Sequence, residues 1–223
     1  MKKTLKPCSL RDRGLAGDKM FVETLRFDDG EVRDFEAHLS RLSLTMHDFH
    51  ATKPDTSVIM SHLGTIPSKG IFKVRIVYAS DILRIETTPY KPLLRRSISL
   101  VCADNISYSH KYYDRHAITD LQIRSGCDDI IMLNDGNVSD SAVANLVFES
   151  DEGLFTPDTP MLRGIAISKL LRERRVCQRR ITVDSLCQYR LVHFVNTMCT
   201  IGELPPFPLG DIRPPMDVLR QNI

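Results

Sequence analysis

Along the first third of the chain, the spacing of apolar and polar positions changes period in a way that predicts hairpin, helices and sheet in turn. Residues 20–27 (Met-Phe-Val-Glu-Thr-Leu-Arg-Phe) and 31–35 (Glu-Val-Arg-Asp-Phe) flank the turn Asp28-Asp29-Gly30 and predict two short antiparallel strands. Leu39, Leu42, Leu44, Met46 and Phe49 then give one apolar side to a stretch that ends before Pro54, so a helix is predicted there, with a second over 56–63. Strands follow at 70–78, 82–88 and 97–103, each rich in β-branched residues and set off by turn-like or proline-bearing segments.

In the second half, the pattern predicts a helix over 112–125 and strands at 129–134, 137–138 and 144–148, with Asn134-Asp135-Gly136 as the tightest turn signal. A short strand at 153–156, a helix over 165–175 and a buried strand over 193–197 complete the series. Five prolines between Pro205 and Pro215 exclude regular helix or central strand, so that segment is expected along a surface, before a last stretch at 216–220. The expected fold class is α+β with two lobes, residues 1–103 and 104–223, meeting between Leu100 and Ser109. A cleft between lobes is a usual place for a small-molecule site.

Composition narrows the function classes. The 223 residues are 42% hydrophobic, enough for a substantial core, and 30 basic against 28 acidic side chains leave a formal charge of +2. No nucleic-acid or membrane partner is expected on that balance. The densest basic run, 163–180, carries apolar residues at helical spacing and reads as the wet face of a helix. Six cysteines without a C-x-x-C pair read as reduced thiols. The charged start Met1-Lys2-Lys3 is followed by no apolar signal region, and no run is long enough to span a membrane, so a cytoplasmic protein is expected. The seven histidines show no metal-ligand spacing, and no metal site is expected.

Local motifs are sharper. Asp12-Arg13-Gly14-Leu15, then Phe21-Val22-Glu23-Thr24-Leu25-Arg26 and His38-Leu39-Ser40-Arg41-Leu42, precede the lysine segment His110-Lys111-Tyr112-Tyr113-Asp114-Arg115. Gly136-Asn137-Val138-Ser139-Asp140 leads into Ala144-Asn145-Leu146-Val147-Phe148, and Thr156-Pro157, Leu162-Arg163-Gly164-Ile165 and Val195-Asn196-Thr197 follow. In order and distance these segments resemble class IV (fold type IV) pyridoxal phosphate enzymes, which include aminodeoxychorismate lyases and branched-chain and D-amino-acid aminotransferases. The resemblance runs from about Asp12 to Leu204.

It implies pyridoxal 5'-phosphate as cofactor, held as a Schiff base on Lys111, whose amine becomes a nucleophile when its site desolvates it or surrounds it with positive charge. The family's ring-nitrogen partner, normally glutamate, falls on Asp140. Arg41 would grip the phosphate, with backbone N–H groups of Ile165 and Ala166 at a helix start and the Thr197 hydroxyl. The family's G-I-T-R has become Gly164-Ile165-Ala166-Ile167, which removes one side-chain hydroxyl. The strand Phe72-Lys73-Val74-Arg75-Ile76 resembles the arginine-bearing strand of the lyases and makes Arg75 a candidate for a substrate carboxylate. The activity implied is a lyase on 4-amino-4-deoxychorismate, releasing pyruvate and 4-aminobenzoate in folate biosynthesis. An aminotransferase on a small α-amino acid and a relative without turnover are the alternatives. The partners implied are a small-molecule amino substrate and a second copy of the chain in a homodimer.

Overall fold

The computed structural model describes residues 19–214; the Asp12–Leu15 motif and the predicted last stretch at 216–220 lie outside them. Among the described residues, β1 (Phe21–Asp28), β2 (Glu31–Val32), β3 (Ile71–Tyr78) and β4 (Ile82–Pro89) form a four-stranded antiparallel sheet in the order β2-β1-β3-β4. Helices α1 (Phe35–His50) and α2 (Thr56–Leu63) lie between β2 and β3 in the chain. In α1 the buried positions His38, Leu42, Thr45 and Met46 fall three to four residues apart on one side. Leu42 and Met46 join Phe21, Leu25, Ile59, Val74, Ile76 and Tyr78 in the core of this lobe.

The second sheet has eight strands: β5 (Ile98–Cys102), β6 (Asp129–Asn134), β7 (Asn137–Ser141), β8 (Asn145–Ser150), β9 (Gly153–Pro157), β10 (Cys177–Arg179), β11 (Leu191–Val195) and β12 (Phe207–Pro208). The order is β10-β9-β8-β7-β6-β5, with β11 pairing both β8 and β12. Both faces are covered, which is why its strands read as unbroken apolar runs. Ile131 and Leu133 of β6 enter one core with Leu146, Phe148 and Val192, whereas Ile130 and Met132 pack with Ile118 of α3 (His116–Ser125). Val147, between Leu146 and Phe148, meets Ile167 and Leu170 of α4 (Ile165–Arg172).

Strand β5 changes the expected division of the chain. It pairs in parallel with β6, Ile98 to Asp129 through Cys102 to Leu133, so the passage between sheets falls in 90–97 and not after 103. Its first three residues are all buried, which suits a strand covered on both faces better than one with a wet face. The helix expected from 112 begins at His116, because Tyr112 is held extended as a bridge to Phe21 and the Asp114 carboxylate accepts the His116 N–H at 2.9 Å.

Contacts at both ends of β1 join the lobes. The Val22 N–H donates to the Lys111 carbonyl at 2.9 Å and the Tyr113 N–H to the Met20 carbonyl at 2.9 Å, stitching the lysine segment to the start of β1. At the other end of β1, the buried Arg26 guanidinium donates to the Met198 carbonyl (2.5 Å), to Glu203 (3.0 Å) and to Asp28 (3.0 Å). Lys169 of α4 adds an ion pair to Asp34, the residue preceding α1, at 2.8 Å.

Candidate active site

Between the lobes lies a cavity of about 320 Å³ whose wall includes Arg41, Arg75, Lys111, Asp140, Ile165 and Thr197. Those six come from α1, β3, the segment before α3, β7, the start of α4 and the turn after β11, and only the folded chain brings them together. Ala166 is absent from that wall; its side chain packs partly buried against the Val147 cluster.

The Lys111 carbonyl accepts the Val22 N–H of β1, and its side chain lies on the cavity. Loss of water around the amine is the largest influence on it; the negative charge of Glu23 opposes this, while Arg41, Arg115 and Arg75 reinforce it, and the result lies at about 8. A substantial fraction of the amine is therefore neutral near physiological pH, the state a nucleophile requires.

Asp140 lines the same cavity from β7. Burial raises its carboxyl, donors from Leu162, Asn145 and Met161 pull it part of the way back, and it settles at about 6. One oxygen accepts from Asn145 Nδ2 at 2.6 Å and the other from the Leu162 N–H at 3.1 Å. Asn145 in turn donates to the Leu162 carbonyl at 2.8 Å and accepts from the Gly164 N–H at 3.0 Å, so one amide side chain ties the carboxylate to the entrance of α4. A methyl group at Gly164 would sit 2.5 Å from Asn145 Oδ1, so the position admits nothing larger than hydrogen.

Arg41 is fixed by a carboxylate that the sequence motifs do not single out, that of Glu23. Glu23 is fully buried and accepts from Arg41 Nε at 2.6 Å and Nη2 at 2.8 Å, and from His38 Nδ1 at 2.8 Å. Burial alone would raise the Glu23 carboxyl, but the bonds from His38 and Arg41 and the charge of Arg41 outweigh it and hold it at about 2. His38 also reaches Thr197 Oγ1 through Nε2 at 3.3 Å. A fork spent on one side against Glu23 still presents Nη1 to an anion.

The cavity wall carries further cations. Lys73 and Arg75, two residues apart on β3, both reach the cavity, Arg75 with its guanidinium 5.0 Å from the Tyr113 ring centroid and 3.7 Å from Glu86. Arg115 donates to the Ala142 carbonyl and lies 5.7 Å from the Tyr108 ring centroid. Ala142 belongs to a tight turn between β7 and β8, in which Ser141 Oγ accepts from the N–H groups of Val143 and Ala144. Among the described residues no set of three or more His, Cys, Asp or Glu is placed to hold a metal ion, and no helix is long and apolar enough to cross a membrane.

Glu23 had a signal in the sequence, whereas Arg115 and Lys73 did not stand out there. An acid and a base inside the apolar strand Phe21-Val22-Glu23-Thr24-Leu25-Arg26-Phe27 mark charges that need buried partners, and the i, i+3 spacing of His38 and Arg41 puts both on one helix face. Neither signal names the partner.

A lysine, a buried carboxylate and several cationic side chains line one interlobe cavity, and the two sheets have the fold type IV architecture of pyridoxal phosphate enzymes. Residues 20–203 match the family described as amino-transferase class IV, and the chain belongs to that family. An uncharacterized protein of Haemophilus influenzae is 29% identical over 180 residues, covering 79% of this chain and 96% of that protein. The crystal structure of a candidate 4-amino-4-deoxychorismate lyase from Haemophilus somnus is similar at TM-score 0.73 and 28% identity, over 81% of this chain and 96% of that one. A hypothetical aminotransferase from Mycobacterium tuberculosis, in a form with α-ketoglutarate and PMP bound, shares the fold at TM-score 0.69 and 19% identity, over 94% of this chain and 91% of that one.

Proposed function

We propose that the chain is a pyridoxal-phosphate-dependent lyase that converts 4-amino-4-deoxychorismate to 4-aminobenzoate and pyruvate. The observation that carries the reading is the convergence of the Lys111 amine, the buried Asp140 carboxylate and the Arg41–Thr197 pair on one cavity. The donor set fits the cofactor: an amine close to neutrality for the aldehyde, an acid to face a protonated ring nitrogen, and a guanidinium with a hydroxyl for the phosphate. When bound, pyridoxal phosphate supplies a conjugated ring that withdraws electrons from the substrate nitrogen.

The protein's own groups do the rest. Asp140, mostly ionised above pH 6, holds positive charge at the ring nitrogen. Arg41, Thr197 and the Ile165 N–H would hold the phosphate end. Lys111 takes a proton from the substrate ring and returns one to the enolpyruvyl group as it leaves as pyruvate. Lys73 and Arg75 suit a substrate with two carboxylates, which 4-amino-4-deoxychorismate has.

The same cationic wall favours a second reading, transamination with a dicarboxylic keto acid, since the tuberculosis relative binds α-ketoglutarate. Incubating the purified protein with pyridoxal phosphate and 4-amino-4-deoxychorismate separates the two. Pyruvate release without an added keto acid supports the lyase, and turnover only with a keto acceptor overturns it. Borohydride reduction should leave a cofactor-sized mass adduct on the peptide containing Lys111; none there would remove Lys111 from its role. A homodimer belongs to the proposal, and a monomer in sedimentation equilibrium would remove it.

A further inference from the structure

The chain Glu23–His38–Thr197 fixes a proton in a way that anion binding must disturb. Glu23 is ionised, so it can only accept, and His38 Nδ1 facing it at 2.8 Å must carry hydrogen. In a neutral ring Nε2 then holds a lone pair, and the Thr197 hydroxyl 3.3 Å away has to donate to it. Thr197 has one proton. An anion resting against Arg41 and Thr197 needs that same proton, and if it takes it, a buried lone pair on His38 faces a lone pair on Thr197 oxygen. A proton on Nε2 resolves the conflict: His38 becomes the donor, Thr197 accepts from it, and the hydroxyl hydrogen turns to the anion.

Resting on the reading of Arg41 and Thr197 as the phosphate end of the site, we propose that His38 is a positioning residue that takes up a proton when a tetrahedral dianion binds, and thereby aims the Thr197 hydroxyl at it.

The charged groups acting on His38 are Glu23 from β1, Arg41 one turn further along α1, and Lys111 from the segment before α3. Burial is the largest influence and disfavours the charged ring, Glu23 opposes this, and Arg41 and Lys111 reinforce it. A dianion in the cavity offsets those two cations and so favours the imidazolium. By linkage, affinity for the dianion then falls as pH rises between the free and bound values of His38, by up to about tenfold per unit.

Sulfate is the probe, because it stays a dianion throughout the range in which phosphate titrates. In the full chain labelled with ¹⁵N-histidine, saturating sulfate at pH 7.5 should move the His38 Nε2 resonance from an unprotonated to a protonated position. Calorimetry in buffers of different ionisation enthalpy should show proton uptake that drops by up to about one per site in His38→Gln. Lys111 interacts with His38 and can take up a proton as well, so the Nε2 resonance, which reports His38 alone, assigns the uptake. Thr197→Val leaves the His38–Glu23 pair intact and serves if His38→Gln does not fold: uptake should fall there too. An Nε2 that stays unprotonated at saturation, with equal uptake in wild type and variants, overturns the proposal while leaving the anion site standing. Sulfate affinity unchanged in Arg41→Ala would show that the phosphate end itself is misplaced, and the proposal falls with it.

Discussion

Glu23 shapes the site without being one of its reacting groups. It holds Arg41 by two bonds and His38 by one, and its carboxyl is depressed from 4.5 to about 2. A depressed acid stabilises the fold above its unfolded value and loses that contribution as pH falls through the folded one. A difference of this size corresponds to about 3 kcal/mol. Glu23→Gln should therefore lower the urea-unfolding free energy by about that amount at pH 7, with the gap to wild type closing as pH falls from 4.5 toward 2. A gap that stays constant with pH would mean that lost packing, not lost charge, is responsible. The sequence pointed to Lys111, Asp140, Arg41 and Thr197 because each sits in a local motif. It did not point to Glu23 as a partner, because its bonds to Arg41 cross 18 positions of sequence and form only when α1 packs on β1.

At the level of elements, the entrance to α4 is where local chain geometry and site chemistry meet. Gly164 precedes the helix with φ −72°, a value any residue adopts, so glycine is required there by space and not by backbone conformation. The space is taken by the Asn145 amide, which also holds Asp140. Gly164→Ala should cost about 1–3 kcal/mol through the displaced amide, read from the midpoint of chemical denaturation. Asn145→Ala in the same chain should recover part of that loss, because the clash disappears with its partner. Strictly additive losses would place the strain elsewhere. The helix itself was legible from its apolar spacing, as were most strands. The starts of elements were less so: β1 draws Tyr112 into extended pairing where the sequence predicts helix, and β6 takes β5 into its own sheet.

Across the whole molecule, the cavity lies between two sheets whose lobes are joined by contacts at both ends of β1. Arg26 contributes most of the far clamp, and the Met198 carbonyl it holds is the next residue after Thr197. Removing the guanidinium leaves Glu203 and that carbonyl short of a donor, although Arg33 still reaches Glu203 at 2.7 Å. Arg26→Met should cost about 2–4 kcal/mol and weaken retention of pyridoxal phosphate, measured by dialysis, beyond what the stability loss explains. Retention equal to that of wild type would show that the turn after β11 keeps its place without the clamp.

The sequence by itself determined what depends on neighbours in the chain: the periods of helix and strand, the α+β class, and the motifs that place a lysine, an acid and an arginine in family order. Those are local properties, and a reader of the sequence has all their terms at hand. The tertiary structure decided which charges face each other. Arg26 meets Met198 across 172 positions, Thr197 meets His38 across 159, and Lys111 loses its water only where both lobes close over it. Desolvation and Coulomb interactions act through space, so the groups that tune the site become visible only once the chain is folded.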